Sequence, residues 1–258
     1  MASCSTSRSA RFWLALSVAV AGGAVGFAPT VALAEDPAPG AMPTTPVPAA
    51  LMTGLAAHAQ RFEDMKKRGG FLFSGKMEEL ASDGKVDETK EIVVRITPRP
   101  EPASPIAEVI KYLENGADKT DEARKKAEER KAKPKKKSDK ELHFPFLASE
   151  QRRYTFGVAE RSADGRARIV FRPLEPAEDA IKGSAWVDEA TGEVLSMGFS
   201  FSKNPIFIDH VDIQITFGMA TPLGRAPSQI AFDGRGGFLV IRKHYRGHAT
   251  FSEPKVAF

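Results

Sequence analysis

Two histidines near the end of the chain have the spacing of a metal-binding pair. His244 and His248 are four residues apart, and on a helix that spacing would place both imidazoles beside one ion. The residues around them alternate between apolar and polar, which predicts a strand, and there the two lie about 13 Å apart. On a strand they are too far apart to share a metal ion.

A second histidine lies among carboxylates. His210 stands between Asp209 and Asp212, an arrangement that can carry acid–base chemistry. In a strand, however, Asp209 points to the opposite face and Asp212 is at the limit of contact. We interpret His210 as a surface histidine, with catalysis or metal binding as the alternative.

The known catalytic motifs give no further support for an enzyme. The sequence contains no Gly-x-Ser-x-Gly elbow, no phosphate-binding loop and no His-Glu-x-x-His pair, which are the signatures of common hydrolases, nucleotide-binding proteins and zinc enzymes. We therefore expect a protein without catalytic activity, cofactor or metal, with an uncharacterised hydrolase as a minor alternative.

The first 34 residues have the three parts of a secretory signal peptide. Arg8 and Arg11 are the only charged residues in them, an apolar run spans 12–27, and Ala32-Leu33-Ala34 forms a cleavage site of the A-x-A type. We expect cleavage after this site and a periplasmic location. An uncleaved membrane anchor is the alternative.

Beyond the signal, the composition predicts a linker followed by one domain. Residues 35–48 contain five prolines and are typical of a flexible linker. Residues 49–258 are enough to bury a core without disulfides. The only cysteine, Cys4, is lost with the signal, so the mature chain has no disulfide and no cysteine metal site.

The positive charge of the chain is concentrated in one segment. Residues 119–141 carry 11 Lys or Arg, 6 Asp or Glu and no aromatic residue. Surfaces that bind nucleic acid place aromatic residues among the basic ones, so we expect no nucleic-acid partner. We interpret 117–141 as a solubilising insertion. The alternative is that it binds an anionic membrane surface through Lys135, Lys136 and Lys137.

Long runs of alternating residues predict an antiparallel sheet. In the stretch from Gly183 to Phe217, every second residue of two runs is apolar, and a Lys203-Asn204-Pro205 break separates the runs. This period is typical of strands with one buried face. Asp83-Gly84 predicts a further hairpin. The side chains expected to line the buried face are Phe71, Phe73, Met77, Ile92, Val94, Ile96, Leu195, Met197, Phe199, Phe201, Ile213, Ile215 and Phe217.

Two amphipathic helices are predicted to cover this face. The first runs from about Ala49 to Gly69, and the second is capped by Ser104, begins at Pro105 and ends at Gly116. We expect their apolar residues to act as a lid: Leu51, Leu55 and Phe62 in the first helix, and Ile106, Ile110 and Leu113 in the second. Residues 120–133 also favour a helix but have no apolar stripe.

The predicted fold class is α+β, mainly β, with nine or ten antiparallel strands. Two helices cover only part of such a sheet, and each 100 Å² of apolar surface left in water forgoes about 2.5 kcal/mol. The sheet therefore either curls into a half-open barrel that holds something apolar, or packs tightly with no cavity. The sequence leaves both arrangements open.

Short motifs in the predicted meander add a family resemblance. Phe171-Arg172-Pro173, the run from Lys182 to Asp188, the run from Thr191 to Leu195 and the ending from Tyr245 to Phe258 together resemble the LolA/LolB-type lipoprotein-carrier superfamily, in its divergent outer-membrane lipoprotein-sorting branch. The resemblance implies a half-open antiparallel barrel, closed by helices, whose apolar cavity shelters acyl chains in the periplasm.

The resemblance and the residue pattern lead to one functional expectation and one alternative. We expect an exported carrier or sensor that binds the acyl chains of lipid or lipoprotein. The alternative is a cell-envelope module for protein–protein interaction whose sheet has a packed core.

Overall fold

Alternating apolar residues build one large antiparallel sheet in the computed structural model. The structure describes residues 42–99, 105–131, 142, 144–238 and 241–256. The predicted signal peptide, residues 35–41 of the linker, and Lys135, Lys136 and Lys137 lie outside the described residues. Among the described residues the helices are α1 (Ala49–Arg68) and α2 (Thr120–Lys131), with one 3-10 turn (Gln151–Arg153). The strands are β1 (Gly69–Leu80), β2 (Val86–Thr97), β3 (Ile106–Glu114), β4 (Ala117–Asp118), β5 (Tyr154–Arg161), β6 (Arg166–Pro173), β7 (Ile181–Asp188), β8 (Val194–Phe201), β9 (Ile208–Thr216), β10 (Met219–Thr221), β11 (Gly224–Ala226), β12 (Gln229–Phe238) and β13 (Ile241–Val256).

The strand order confirms the predicted fold class. Eleven strands form one sheet in the order β4-β3-β2-β1-β13-β12-β9-β8-β7-β6-β5, and β10 and β11 form a separate hairpin. In the described part of the chain β4 and β5 are the two edges, so the sheet is not closed into a barrel. No described helix is both long and apolar enough to cross a membrane.

One face of the sheet, here called the inner face, carries the core. Cross-strand pairing sets apolar side chains in rows, as the alternation predicts. One such row runs across eight strands: Gly75, Ala249, Ile230, Ile215, Met197, Ala185, Ile169 and Val158. The opposite, outer face is polar and carries ion pairs such as that between Arg246 and Glu78.

A β-bulge changes one predicted inner-face position. The register between β7 and β8 shifts so that Trp186 pairs with Ser196 but Val187 pairs with Val194. Leu195 is the extra residue of this bulge, and its carbonyl accepts a hydrogen bond from the Phe217 amide. Val194 is fully buried in its place, so the placement of Leu195 in the inner-face row was wrong.

The second predicted lid helix is a strand. Residues 106–114 form β3, which pairs with β2 from Thr97–Ile106 to Lys90–Glu114. Apolar residues at 106, 109, 110 and 113 fit a helical stripe, but β-branched and aromatic residues favour a strand when a neighbouring edge is free to pair. Ile106 and Ile110 are exposed and Leu113 is half-buried on this strand, so these three residues form no lid.

The second helix of the fold lies in the charged segment. α2 has no buried face among its described side chains, as expected, but it contacts the sheet through Arg124. The guanidinium donates to the carbonyls of Val109 (2.9 Å) and Ile110 (3.4 Å). At the other edge the Val158 amide donates to Thr45 O (2.9 Å). Both edges are thus partly covered, which opposes pairing with another chain.

The first predicted amphipathic helix forms as α1 and lies on the inner face. Leu51 and Leu55 are buried in the main core, and Phe62 packs against it. The helix approaches the β7–β8 turn closely at Gly54 and Gly192. A Cβ on Gly192 would lie 2.5 Å from the Gly54 backbone, and Gly192 has φ +70°, so two separate constraints select glycine there.

We expect Gly192→Ala to lower the free energy of unfolding by about 1–3 kcal/mol, because it adds backbone strain to a clash with α1. Gly165→Ala is the matched control, since Gly165 has φ +81° and open space where its Cβ would be. It should lose only the strain contribution of about 1 kcal/mol. Equal losses for the two variants, measured by denaturant unfolding, would show that the helix contact is not tight.

Candidate functional site

Most of the predicted cavity-lining residues lie together on the inner face, and most of them are buried. Eight of the thirteen retain 8% or less of their accessible surface. A side chain that borders a space large enough for water keeps accessible surface toward it. These eight side chains, here called the wall, are therefore packed against other protein groups and do not border an open space. They are Phe71, Phe73, Met77, Met197, Phe199, Ile213, Ile215 and Phe217.

The space above this wall is filled by a segment whose apolar residues and Pro145 favour an edge segment or a lid over a central strand. Residues 144–147, here called the aromatic turn, insert two phenylalanine rings between α1 and the sheet. The Phe144 ring centroid is 5.4 Å from that of Phe62, and the Phe146 centroid is 5.6 Å from those of Phe156 and Phe171. Phe146 is fully buried, so the turn is part of the core.

Gln151 bridges the aromatic turn and α1 through hydrogen bonds. The Gln151 side-chain amide donates to Phe146 O (2.9 Å) and to Met52 O (3.2 Å). Both elements meet the inner face through apolar side chains of the main core cluster. We call α1 and the aromatic turn together the cover. Apolar contacts of this kind have no directional requirement, so an apolar ligand can replace them.

The inner face is less covered over β2 and β3. Ile92, Val94 and Ile96 lie on the inner face opposite Gly75, Phe73 and Phe71, yet all three are half-buried. Tyr112 and Val109 of β3 lie opposite Ile92 and Val94 and are half-buried too. We call these five residues the apolar strip. Ile92 and Val94 pack against the core cluster, so the strip is continuous with the core.

Charged residues border the apolar strip. The Lys90 ammonium lies 2.6 Å from Glu88 Oε2 and 3.8 Å from Glu114 Oε1. Burial and a hydrogen bond with Glu88 raise the pKa of Glu114. Burial opposes ionisation of Glu88 as well, but the hydrogen bonds from Lys90 and Glu114 outweigh it and lower its pKa. The Glu114 carboxyl group therefore holds its proton to a higher pH than the Glu88 carboxyl group.

A second charged group lies beside the first. Lys243 donates to Glu79 Oε1, and only 8% of Glu79 is exposed. Burial, and then the charge of Glu79, raise the pKa of Tyr245. Burial also raises the pKa of Tyr112 to about 12. Both tyrosines are therefore neutral hydroxyl groups at physiological pH, and the charged rim consists of Glu79, Glu88, Lys90, Glu114 and Lys243.

The histidines singled out in the sequence lie on the outer face. His210 is exposed and hydrogen-bonded to Asp212, and His244 Nε2 lies 2.8 Å from Asp233 Oδ2. Within the described residues, no three His, Cys, Asp or Glu side chains are arranged to hold a metal ion. His210 is thus a surface histidine, as interpreted from the sequence, and its taking no part in catalysis stays a prediction.

His58 is a residue of α1 whose side chain is fully enclosed in the core. It is 1% exposed, and its ring meets that of Phe217 edge-on at 5.7 Å. Neither ring nitrogen has a hydrogen-bond partner in the described structure. Burial, and then the positive charge of Arg61, lower the pKa of His58 from 6.5 to about 4. The imidazole is therefore neutral at physiological pH.

A charged groove lies away from the inner face. Its volume is about 570 Å³, and it is formed between β3 and α2. A lining of this composition does not suit an acyl chain. The residues are Ile110, Lys111, Asp118, Lys119, Thr120, Asp121, Glu122 and Arg124.

Comparison with known proteins gives only a distant likeness. No family model and no curated sequence matches the chain. A LolA superfamily protein from Nitrosomonas europaea has 9% identity and a TM-score of 0.30, over 78% of this chain and 94% of that one. A DUF1329 family protein from Desulfovibrio piger has 10% identity and a TM-score of 0.33, over 80% and 92%. The MucA/MucB complex from Pseudomonas aeruginosa has 10% identity and a TM-score of 0.25, over 79% and 94%.

The structures found include a member of the superfamily that the sequence motifs resemble. At these identities and TM-scores the likeness carries no argument about ligand, partner or mechanism. Function has to be argued from the inner face itself.

Proposed function

We propose that the protein is an exported, non-enzymatic binding protein that takes up acyl chains of lipid or lipoprotein on the inner face of its sheet. The observation that carries this proposal is the apolar strip on β2 and β3. An acyl chain can lie along Ile92, Val94 and Ile96 and continue toward the core by displacing the cover. We propose that the protein is located in the periplasm, because residues 1–34 have the features of a signal peptide.

The charged rim supports an amphipathic rather than a purely apolar ligand. Lys90 lies opposite Met77 on β1 and opposite Glu114 on β3, so charge begins where the apolar strip ends. A lipid places a polar headgroup next to an acyl chain in the same way. The proposed orientation has the acyl chain along the strip and the headgroup at Lys90 and Lys243.

A second candidate is a protein-interaction module with a packed core. The specific observation in its favour is the close packing of the aromatic turn against the sheet, with Phe146 fully buried. In that case the cover is permanent, and the strip docks another protein's apolar surface. Solvent extraction of the purified protein followed by mass spectrometry separates the two candidates, because only a carrier retains lipid.

Adjacent residues of β2 offer a matched pair of variants. Val94 lies on the inner face opposite Phe73, whereas Val93 lies on the outer face opposite Ser74, and both are half-buried. We expect Val94→Glu to weaken binding of a fluorescent fatty-acid probe at least about tenfold, because a buried carboxylate is costly beside an acyl chain. Val93→Glu should leave the affinity unchanged.

Both variants should remain folded, since neither side chain is fully buried; circular dichroism and denaturant unfolding check this. Equal probe affinities for the two variants would exclude the strip as the binding surface. If the wild type binds no probe and yields no lipid on extraction, the packed interaction module is the better account.

A further inference from the structure

The loop between β8 and β9 holds two large apolar side chains in water. Ile206 is 76% exposed and Phe207 is 56% exposed. Within the described residues, Ile206 is the most exposed large apolar side chain. Isolated exposed apolar residues are common, but two adjacent ones at the tip of a loop are typical of an interaction site.

Hydrogen bonds fix this loop in place. The Ser202 hydroxyl donates to Ala177 O (2.9 Å) and accepts from Ala177 N (3.0 Å), which ties the loop to the β6–β7 connection. Ile208 N donates to Pro205 O (3.0 Å), and Gly237 N donates to Phe207 O (2.9 Å). Phe207 has φ +75°, a value that aromatic residues seldom adopt. The surrounding contacts therefore hold the pair in its exposed position.

Basic residues flank the apolar pair. Lys203 in the same loop and Arg235 on β12 are exposed, and Arg242 on β13 is exposed and paired with Asp209. The backbone of β12 at Gly236 lies opposite Ile208, so these charges stand directly behind the loop. The acidic residues at this end are Asp209, which pairs with Arg242, and Glu175, Glu178 and Asp179 of the β6–β7 connection.

An apolar pair in front of positive charges matches the interface of an anionic bilayer. Apolar side chains enter the boundary between headgroups and acyl chains, and Lys and Arg are attracted to the anionic headgroups behind it. A protein partner would have to supply both an apolar pocket and matching acidic groups, whereas every anionic bilayer surface offers an apolar layer beneath negative headgroups. The observations therefore favour a lipid surface.

We propose that the β8–β9 loop docks the protein onto an anionic membrane surface. Ile206 and Phe207 enter the interfacial layer, and Lys203 and Arg235 contact lipid phosphate groups. Docking of this kind needs no acyl chain in the core, so it is independent of the proposed carrier function. It also involves residues other than Lys135, Lys136 and Lys137.

The test is co-sedimentation of the mature chain with vesicles. We expect binding to phosphatidylglycerol–phosphatidylcholine vesicles and little binding to phosphatidylcholine alone. The double variant Ile206→Ser/Phe207→Ser should lower the partition coefficient at least about tenfold, because two apolar side chains no longer leave water. Ile106→Ser is the control, since Ile106 is also exposed but lies on β3, where it pairs with the far end of β2.

A second readout follows the loop directly. In Phe207→Trp the new indole should shift its emission to shorter wavelength when anionic vesicles are added, against the background of Trp186. Lys203→Glu/Arg235→Glu should weaken binding to anionic vesicles and leave the fold intact. The proposal is overturned if the wild type does not bind anionic vesicles, or if the serine double variant binds as well as wild type. A third outcome also overturns it: the wild type self-associates, the serine double variant does not, and neither binds vesicles. The loop would then be an interface between two copies of the chain.

Discussion

Phe146→Ala should lower the free energy of unfolding by about 3–5 kcal/mol, because it removes a fully buried ring from a packed aromatic cluster. Phe146 is 0% exposed and its ring meets those of Phe144, Phe156 and Phe171. The same truncation should strengthen binding of a fatty-acid probe if the aromatic turn occupies the place of the acyl chain. Stability and affinity would then change in opposite directions.

Denaturant unfolding and probe titration on one preparation measure both quantities. Leu174→Ala is the control, because Leu174 is 61% exposed and its truncation should change stability by no more than about 0.5 kcal/mol. A loss below about 1 kcal/mol for Phe146→Ala would contradict the packed aromatic turn. A large loss without any gain in affinity would separate the turn from the ligand site.

The buried histidine should make the protein sensitive to acid. Above pH 6.5 the imidazole of His58 is neutral in both the folded and the unfolded chain. Below that pH the imidazole binds a proton in the unfolded chain. In the folded chain it binds one only near its lowered pKa of about 4. Stability therefore falls as the pH is lowered between these values, by about 3 kcal/mol in all at 1.4 kcal/mol per unit.

His58→Leu should remove this component, since leucine packs in the same space without a proton to bind. The free energy of unfolding of wild type minus variant should fall steadily from pH 6.5 to 4 and stay constant above pH 7. Arg61 and Arg225 oppose protonation of His58 and Glu193 favours it, so these three groups must be intact in both chains. His210→Gln, at an exposed histidine, is the control. Parallel pH profiles for wild type and His58→Leu would show that His58 carries no acid sensitivity.

The strands were predictable wherever the alternation is unbroken. Met197, Phe199, Ile213 and Ile215 occupy the inner face as their spacing requires, and Asp83-Gly84 turns the first hairpin. Leu195 was misplaced because a bulge inserts one residue into the period. A bulge arises from the pairing of two strands, and the sequence of one strand does not specify it.

Residues 106–113 show a second limit. Their apolar positions fit both a helical stripe and a half-buried strand. They form a strand because the free edge of β2 is available for pairing, and the local sequence pattern does not encode that pairing. The aromatic turn shows a third limit. Pro145 between two phenylalanines excludes a central strand, but only the assembled sheet reveals that α1 leaves a gap which those rings fill.

One feature of the topology bears on how the chain acquires its structure. β1 is the first strand and β13 the last, yet they pair along almost their whole length in the middle of the sheet. During synthesis or translocation one edge of β1 therefore stays unpaired until the sixteen residues of β13 have emerged. Such long-range closure slows folding and leaves the intermediate prone to wrong pairing. In a chain that lacks β13, no strand would pair with both β1 and β12. The strands β1–β4 would then be separated from the strands β5–β9 and β12, so β13 is the strand that joins the two parts of the sheet.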